Sequence, residues 1–371
     1  MIKAWNIINT IKCVSGEFIY EVNHISNGLK LLYIKRKDDI RTSFFPNIKT
    51  PVYSNKGTSH VVEHCVRNDI LSDPITWNYI ESTICKYNFY TLLDRTVYEC
   101  DSNDKDVFEF LLKRTLQCVY NPSIYNKSSI FYTEACREEL SYDGNKQFNG
   151  VVFNEMKQAL SRPDSLLNKI IPFSLGISGF ITGGIPIEIS KLRLEEALRY
   201  HKKYYQFSNS YLVISANKDL EVYLEIIEKI ISKLSMRIDK ISLGFEMENP
   251  GLGLEEKLFI WRGLNVLEAP LCNMGNRYVF SVNFLLNRID TIQKYLVYSN
   301  LKKTVFNKTL KEYKGQGKVI LNTGIEQPYI GFALILCQEK EISNFYNVIT
   351  KSLSPKYIFC ENVFLKSMNV L

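Results

Sequence analysis

Gly57-Thr58-Ser59-His60-Val61-Val62-Glu63-His64 is the stretch on which the reading of this 371-residue chain turns. Gly57 and Thr58 can supply the turn and the cap of a helix running from Ser59 to about Asp69. At about 100° per residue, His60 and His64 then sit about 40° apart in projection, with Glu63 about 60° to the other side of His60. All three side chains leave the helix from one face.

The spacing is H-x-x-E-H, the inverted form of a zinc peptidase motif. Two imidazoles one turn apart can grip one Zn²⁺ at roughly 2.0 to 2.1 Å, which leaves the carboxylate between them beside the metal, free to act as a base. Catalytic zinc sites keep three protein ligands and an open position, so the motif asks for a third ligand downstream. The whole chain has four histidines, which makes a chance pairing at this spacing improbable.

Outward from the motif, residues 18–36 (FIYEVNHISNGLKLLYIKR) read as two strands about a turn at Ser26-Asn27-Gly28, because Asn-Gly is a strong hairpin signal. Residues 89–100 (FYTLLDRTVYEC) are strand-like. Lys105 to Tyr120 places Val107, Phe108, Leu111, Leu112, Leu116 and Val119 on one helical face. Further helices fit Ser129 to Leu140, Gly150 to Leu160 and Leu192 to Tyr205. The segment SYLVISANKD (210–219) reads as a buried strand, and 220–236 as an amphipathic helix that closes a first unit.

A domain boundary is expected between Arg237 and Gly253. Beyond it come a strand at YVFSVNFLL (278–286), a helix from Ile289 to Lys311, strands at 318–324 and 329–340, and a helix from Ile342 to Leu353. No short-period repeat or low-complexity segment is present. The expected fold class is α+β, a largely antiparallel sheet with helices packed on one face, present twice: residues 1–240 and a shorter 241–371.

Composition narrows the class further. With 46% hydrophobic and 13% aromatic residues the chain can bury a large core, which excludes disorder. A formal charge of +7, with Lys and Arg interleaved among Asp and Glu, is no nucleic-acid footprint. Nine cysteines, without any C-x-x-C pair, and opening residues that lack an apolar stretch point to a reduced, cytoplasmic protein. The long uncharged run between Lys169 and Glu188 carries two prolines and four glycines, which favours a short buried helix and a glycine loop over a membrane span.

Four blocks in order carry a resemblance: GTSHVVEHC (57–65), NFYTLLDRTVYEC (88–100), GVVFNEMKQALSRPDSLLNKI (150–170) and GGIPIEISKLRLEEALRYHKKYYQFSN (183–209). Together they resemble the pitrilysin and insulinase peptidases, most closely the presequence protease branch. The resemblance implies that Glu155 is the third zinc ligand, beside His60 and His64, and that Glu63 activates the water. It also implies that the segment from Asn88 is an edge strand to which an extended peptide adds itself, with Asn88 touching the peptide backbone. Phe89 and Tyr90 complete the substrate-binding candidates and fit edge-strand packing better than a specificity pocket.

The implied activity is a zinc-dependent endopeptidase acting on small unfolded peptides, a ribosomally made one included. Presequence proteases pair two large halves, and two-domain relatives pair two subunits whose second domain brings an Arg and a Tyr to the zinc. Here the corresponding place reads LKEYKGQGKVIL (310–321), with Lys311 and no suitably placed Tyr downstream. A homodimer, or a heterodimer with a related subunit, is therefore expected. The alternative is a non-catalytic or partner-dependent subunit that binds peptides or assembles a larger complex. Three features near these blocks are expected to carry no chemistry: His201 as a structural or surface histidine, Cys65 as a small core residue, and the Glu134 to Glu139 cluster as a solvated helix face.

Overall fold

The Asn27-Gly28 turn brings β2 (Phe18–His24) back against β3 (Lys30–Lys35), with Phe18 opposite Lys35 and Asn23 opposite Lys30. Gly28 has φ of 72°, a conformation costly for a residue with a Cβ. The computed structural model describes residues 3–13, 16–36, 41–82, 84–162, 165–169, 180–235, 278–285, 292–324 and 329–352. These form two compact units, Met1–Met156 with Phe180–Asn249, and Lys157–Gly179 with Pro250–Leu371.

In the first unit β1 (Trp5–Lys12) pairs with β2, while β4 (Thr42–Lys49), β5 (Cys85–Thr91) and β6 (Arg95–Ser102) form the other side of one sheet. The late strand β9 (Ser210–Ala216) inserts between β3 and β4, parallel to the first and antiparallel to the second. The order is β1-β2-β3-β9-β4-β6-β5, so β5 is the last strand on its side. Helices α1 (Thr58–Leu71) and α2 (Pro74–Glu81) lie between β4 and β5, and α3 (Lys105–Tyr120) follows β6; α3 begins at an N-cap in which Asp104 accepts from the backbone N–H of Asp106 and Val107. Leu111, Leu112, Leu116 and Val119 of α3 are buried as the periodicity predicts.

Two stretches differ from expectation. The strand-like run at 89–100 is a hairpin, in which Leu92 N–H bonds back to the Arg95 carbonyl at 2.7 Å. The helix predicted over Ser129 to Leu140 stops early as α4 (Ser128–Glu134), and Arg137–Leu140 becomes β7, paired with β8 (Lys146–Asn149). The cause is the Asp143-Gly144 turn, with Gly144 at φ 79°, which folds the charged run into a hairpin. Gly150 follows it so close to the Ala135 carbonyl that a Cβ there would lie 2.3 Å from the oxygen.

The rest of this unit is α5 (Val151–Ser161) as far as Met156, the short α6 (Pro186–Ile189), α7 (Leu194–Tyr204) and α8 (Leu220–Ser235). In α5, Val152, Met156 and Leu160 make the buried stripe. The glycine loop expected before Glu188 is present, with Gly183 and Gly184 at φ 90° and 89°; the helix expected ahead of it and the boundary at 237–253 lie outside the described residues, wholly or in large part.

The second unit holds β10 (Tyr278–Leu285), α9 (Ile292–Glu312), β11 (Lys318–Gly324), β12 (Tyr329–Cys337) and α10 (Glu339–Ser352). Its sheet is antiparallel in the order β10-β12-β11, and Phe332, Leu334, Phe345 and Ile349 pack in its core. Among the described residues no helix is long and apolar enough to cross a membrane. The fold class is α+β.

Candidate metal centre

Gly57 caps α1 with φ of 65°, its carbonyl accepting from Val61 N–H at 2.9 Å, so Thr58 is the first helical residue and not part of the cap. The loop at 183–184 closes over this turn. A Cβ on Gly57 would lie 2.5 Å from the Gly183 carbonyl oxygen, and one on Gly183 would lie 2.7 Å from Met156 Sδ and 3.4 Å from His60 Nδ1. Three glycines thus let two backbones and α5 meet behind the His60 ring.

Within α1 the imidazoles of His60 and His64 stand 4.7 Å apart by centroid and nearly perpendicular, at 86°. Both residues are buried, as is Glu63. Among the described residues, His60, Glu63 and His64 place ligand-type atoms within 4.8 Å of one another. Glu155, on α5, faces both rings: one oxygen is 3.7 Å from His60 Nε2 and the other 3.3 Å from His64 Nε2. Two ligands of a tetrahedral ion held at 2.0 to 2.1 Å lie about 3.3 to 3.4 Å apart. The spacing therefore fits a shared cation.

Glu63 is held differently. Its Oε2 lies 4.0 Å from His60 Nε2 and accepts a hydrogen bond from the Thr91 hydroxyl at 3.2 Å. Burial pushes this carboxyl up to about 7, against the pull of His64 and the Thr91 bond. A group that changes protonation near neutrality is what general base catalysis requires.

The reading of residues 134–139 as a solvated face is corrected for its first member. Glu134 is buried, 4% exposed, and its Oε2 accepts from His64 Nδ1–H at 3.1 Å, while its Oε1 accepts from Asn68 Nδ2 at 2.9 Å. A carboxylate can only accept here, so Nδ1 carries a proton, and Nε2 is the ring nitrogen that would give up its proton to a cation beside Glu155. Burial opposes a charged ring, yet the Glu134 and Glu155 carboxylates outweigh it and hold His64 up at about 9. The pocket is built to keep a positive charge, as a divalent cation requires. The available signal was Phe131: it is 1% exposed, and three residues later on α4 Glu134 points the same way.

Asn88, Phe89 and Tyr90 lie on β5 and are not among the groups that close on the ring pair. Asn88 is exposed, and its Oδ1 accepts from the Phe89 N–H at 3.1 Å. Phe89 stacks on Tyr87 at 5.5 Å and meets Tyr98 edge-on, which makes it packing. Cys65 is a core residue at 1% exposure. His201 is buried and structural: Nε2–H donates to the Val119 carbonyl at 2.8 Å and Nδ1 accepts from the Tyr125 hydroxyl at 2.8 Å.

No family model matches the chain. It is 28% identical over 350 residues to "Protein HypA" of Clostridium perfringens, across 89% of this chain and 34% of that protein. It is 29% identical over 247 residues to presequence protease 1 of Arabidopsis thaliana, across 61% of this chain and 23% of the relative. The chain is similar, distantly in sequence, to the pitrilysin/insulinase peptidases.

The solved structures show a shared fold. Pitrilysin superposes with a TM-score of 0.59 at 12% identity, over 96% of this chain and 39% of pitrilysin. A peptidase M16 inactive domain from Pseudomonas fluorescens gives 0.64 at 10% identity, over 95% of this chain and 82% of the domain. This pitrilysin-like chain spans about a third or less of the length of the curated relatives named above.

Proposed function

We propose that this chain is a zinc-dependent endopeptidase that hydrolyses small unfolded peptides, a ribosomally made peptide among them. The observation that carries the reading is the division of labour between two carboxylates. Glu155 faces both imidazole Nε2 atoms at 3.3 and 3.7 Å, while Glu63 is tied to Thr91 beside them.

His60, His64 and Glu155 would hold the metal. Zinc bound there supplies a Lewis acid that acidifies water and polarises a carbonyl. Glu63 takes the proton of the attacking water and passes it to the leaving amine. Glu134, by accepting from Nδ1–H, would leave Nε2 as the nitrogen that takes the metal. β5 ends the described sheet on its side, and we assign the extended peptide to its outer edge, where backbone groups pair as in β-augmentation. Asn88, exposed on that strand, would contact the peptide backbone.

Glu155 is 52% exposed and Asn88 is exposed, so the proposed site meets solvent at both residues. We assign its cover to a second copy of this chain or a related subunit. The seven described cysteines are free, which supports a reducing compartment.

A second reading, a non-catalytic subunit that holds peptides or assembles a complex, draws on the likeness to an inactive domain. Metal content by mass spectrometry, beside cleavage of an unstructured peptide with and without chelator, separates the two. About one zinc per chain with chelator-sensitive cleavage is the expected outcome. A metal-free chain that binds the peptide and leaves it whole would overturn the enzyme.

A further inference from the structure

Glu63 and Glu155 both reach the ring pair, and a carboxylate that serves as base must be kept out of the ligand position. A hydrogen-bond partner for Glu63 lies on β5. Residues alternate along a strand, and Tyr87, Phe89 and Thr91 point to the helical side. There the Tyr87 hydroxyl meets Thr115 of α3 at 3.0 Å, and the Arg67 guanidinium of α1 lies 6.0 Å from the Phe89 ring centroid. Thr91, the last residue of the strand, donates its hydroxyl to Glu63 Oε2.

The backbone that carries this hydroxyl is fixed. Thr91 pairs with Thr96 of β6, and Thr96 is fully buried with its own hydroxyl 2.7 Å from that of Thr50. That pairing sets the position from which the Thr91 hydroxyl reaches Glu63.

Building on the peptidase reading, we propose that Thr91 is a positioning residue: its hydroxyl turns the Glu63 carboxylate toward β5, keeping it beside the ring pair as a base while Glu155 takes the ligand place. The strand assigned to the peptide is thereby also the strand that aims the base. Peptide backbone and base orientation are set by one element, which aligns them without a separate loop.

The test uses the full chain in two measurements. In metal-free protein labelled at the glutamate side-chain carboxyl carbon, the Glu63 resonance is identified by its loss in Glu63→Gln. That resonance moves in Thr91→Val, which keeps the shape and removes the donor, and returns to its place in Thr91→Ser. In the zinc-loaded chain, Thr91→Val lowers kcat roughly tenfold to a hundredfold with KM unchanged, the scale of one hydrogen bond to a charged group. Thr91→Ser restores it.

A Glu63 resonance indifferent to Thr91→Val overturns the inference whatever the peptide assay returns. A KM that rises with kcat unchanged also overturns it, assigning Thr91 to the strand instead. A wild-type chain that cleaves nothing, with the resonance behaving as expected, removes the peptidase reading and leaves the positioning intact.

Discussion

The two units of the chain draw on the same elements, largely antiparallel strands and helices, and bury different things. In the second unit the core is Tyr298, Val305, Phe332, Leu334, Phe345 and Ile349, and its buried Thr309 and Ser352 hydroxyls donate to carbonyls of their own helices. In the first unit His60, Glu63, His64 and Glu134 are buried side by side along α1 and α4. Each ionisable group taken from water costs several kcal/mol unless a partner offsets it. An apolar core of the same volume would fold at lower cost, and the proposed chemistry is the reading that accounts for the cluster.

The sharpest way to break that contrast is to remove the base and leave the site standing. Glu63→Gln is expected to keep zinc and to lower kcat by roughly a thousandfold, within the range of general base catalysis. His64→Ala is expected to lose the metal itself. Zinc content by mass spectrometry and a peptide cleavage assay check both; Glu63→Gln at wild-type rate would leave the buried cluster without the role assigned to it.

The converse experiment disturbs the apolar core. Phe345 is fully buried and packs edge-on against Tyr313 at 5.5 Å, so Phe345→Ala is expected to cost about 3 to 5 kcal/mol of the second unit's stability. Hydrogen exchange along α10 reads that loss. Zinc per folded chain is expected to stay constant, and a matching fall would mean that the metal centre depends on that core.

Histidine burial alone is not the mark of the site, and His201 shows why. Its ring is buried with both nitrogens satisfied as a neutral imidazole, and burial lowers its pKa from an ordinary 6.5 to about 4. The unfolded chain takes up this proton first as pH falls. The stability that His201 contributes is therefore full above about pH 6.5 and lost progressively toward pH 4, by at most about 3 kcal/mol. Urea midpoints between pH 7 and 4.5, compared with His201→Phe, isolate the slope. Equal slopes in both proteins would show that the ring does not titrate with unfolding.

What the sequence made legible follows from how local each signal is. The α1 motif could be read because three side chains on one helix have a relation fixed by 100° per residue, and the hairpin at Asn27-Gly28 because the turn is written in two residues. Glu155 came only through resemblance, since its approach to both rings depends on how α5 packs. The helix predicted through Leu140 failed because an Asp-Gly turn further on, at 143–144, outweighed the propensity of the charged run before it. Glu134 was hidden for the same reason: read with Glu138 and Glu139 it belongs to a polar surface, and read with Phe131 it belongs to the core. The insertion of β9 between β3 and β4 is a long-range pairing that no local pattern encodes.

Glu134 also sets the smallest and most discriminating of the expected effects. Its bond to His64 Nδ1 does not touch the cation position, so its influence runs through the tautomer and the basicity of the ring. Glu134→Ala is expected to weaken zinc binding roughly tenfold to a hundredfold, as loss of such a partner does elsewhere. Glu134→Gln, whose amide oxygen can accept the same bond, is expected to lose less. Competition with a chromophoric chelator measures both affinities. If the two variants bind zinc as the wild type does, then Nε2 faces Glu155 for reasons of packing, and the buried carboxylate behind His64 is a cost with no return in metal affinity.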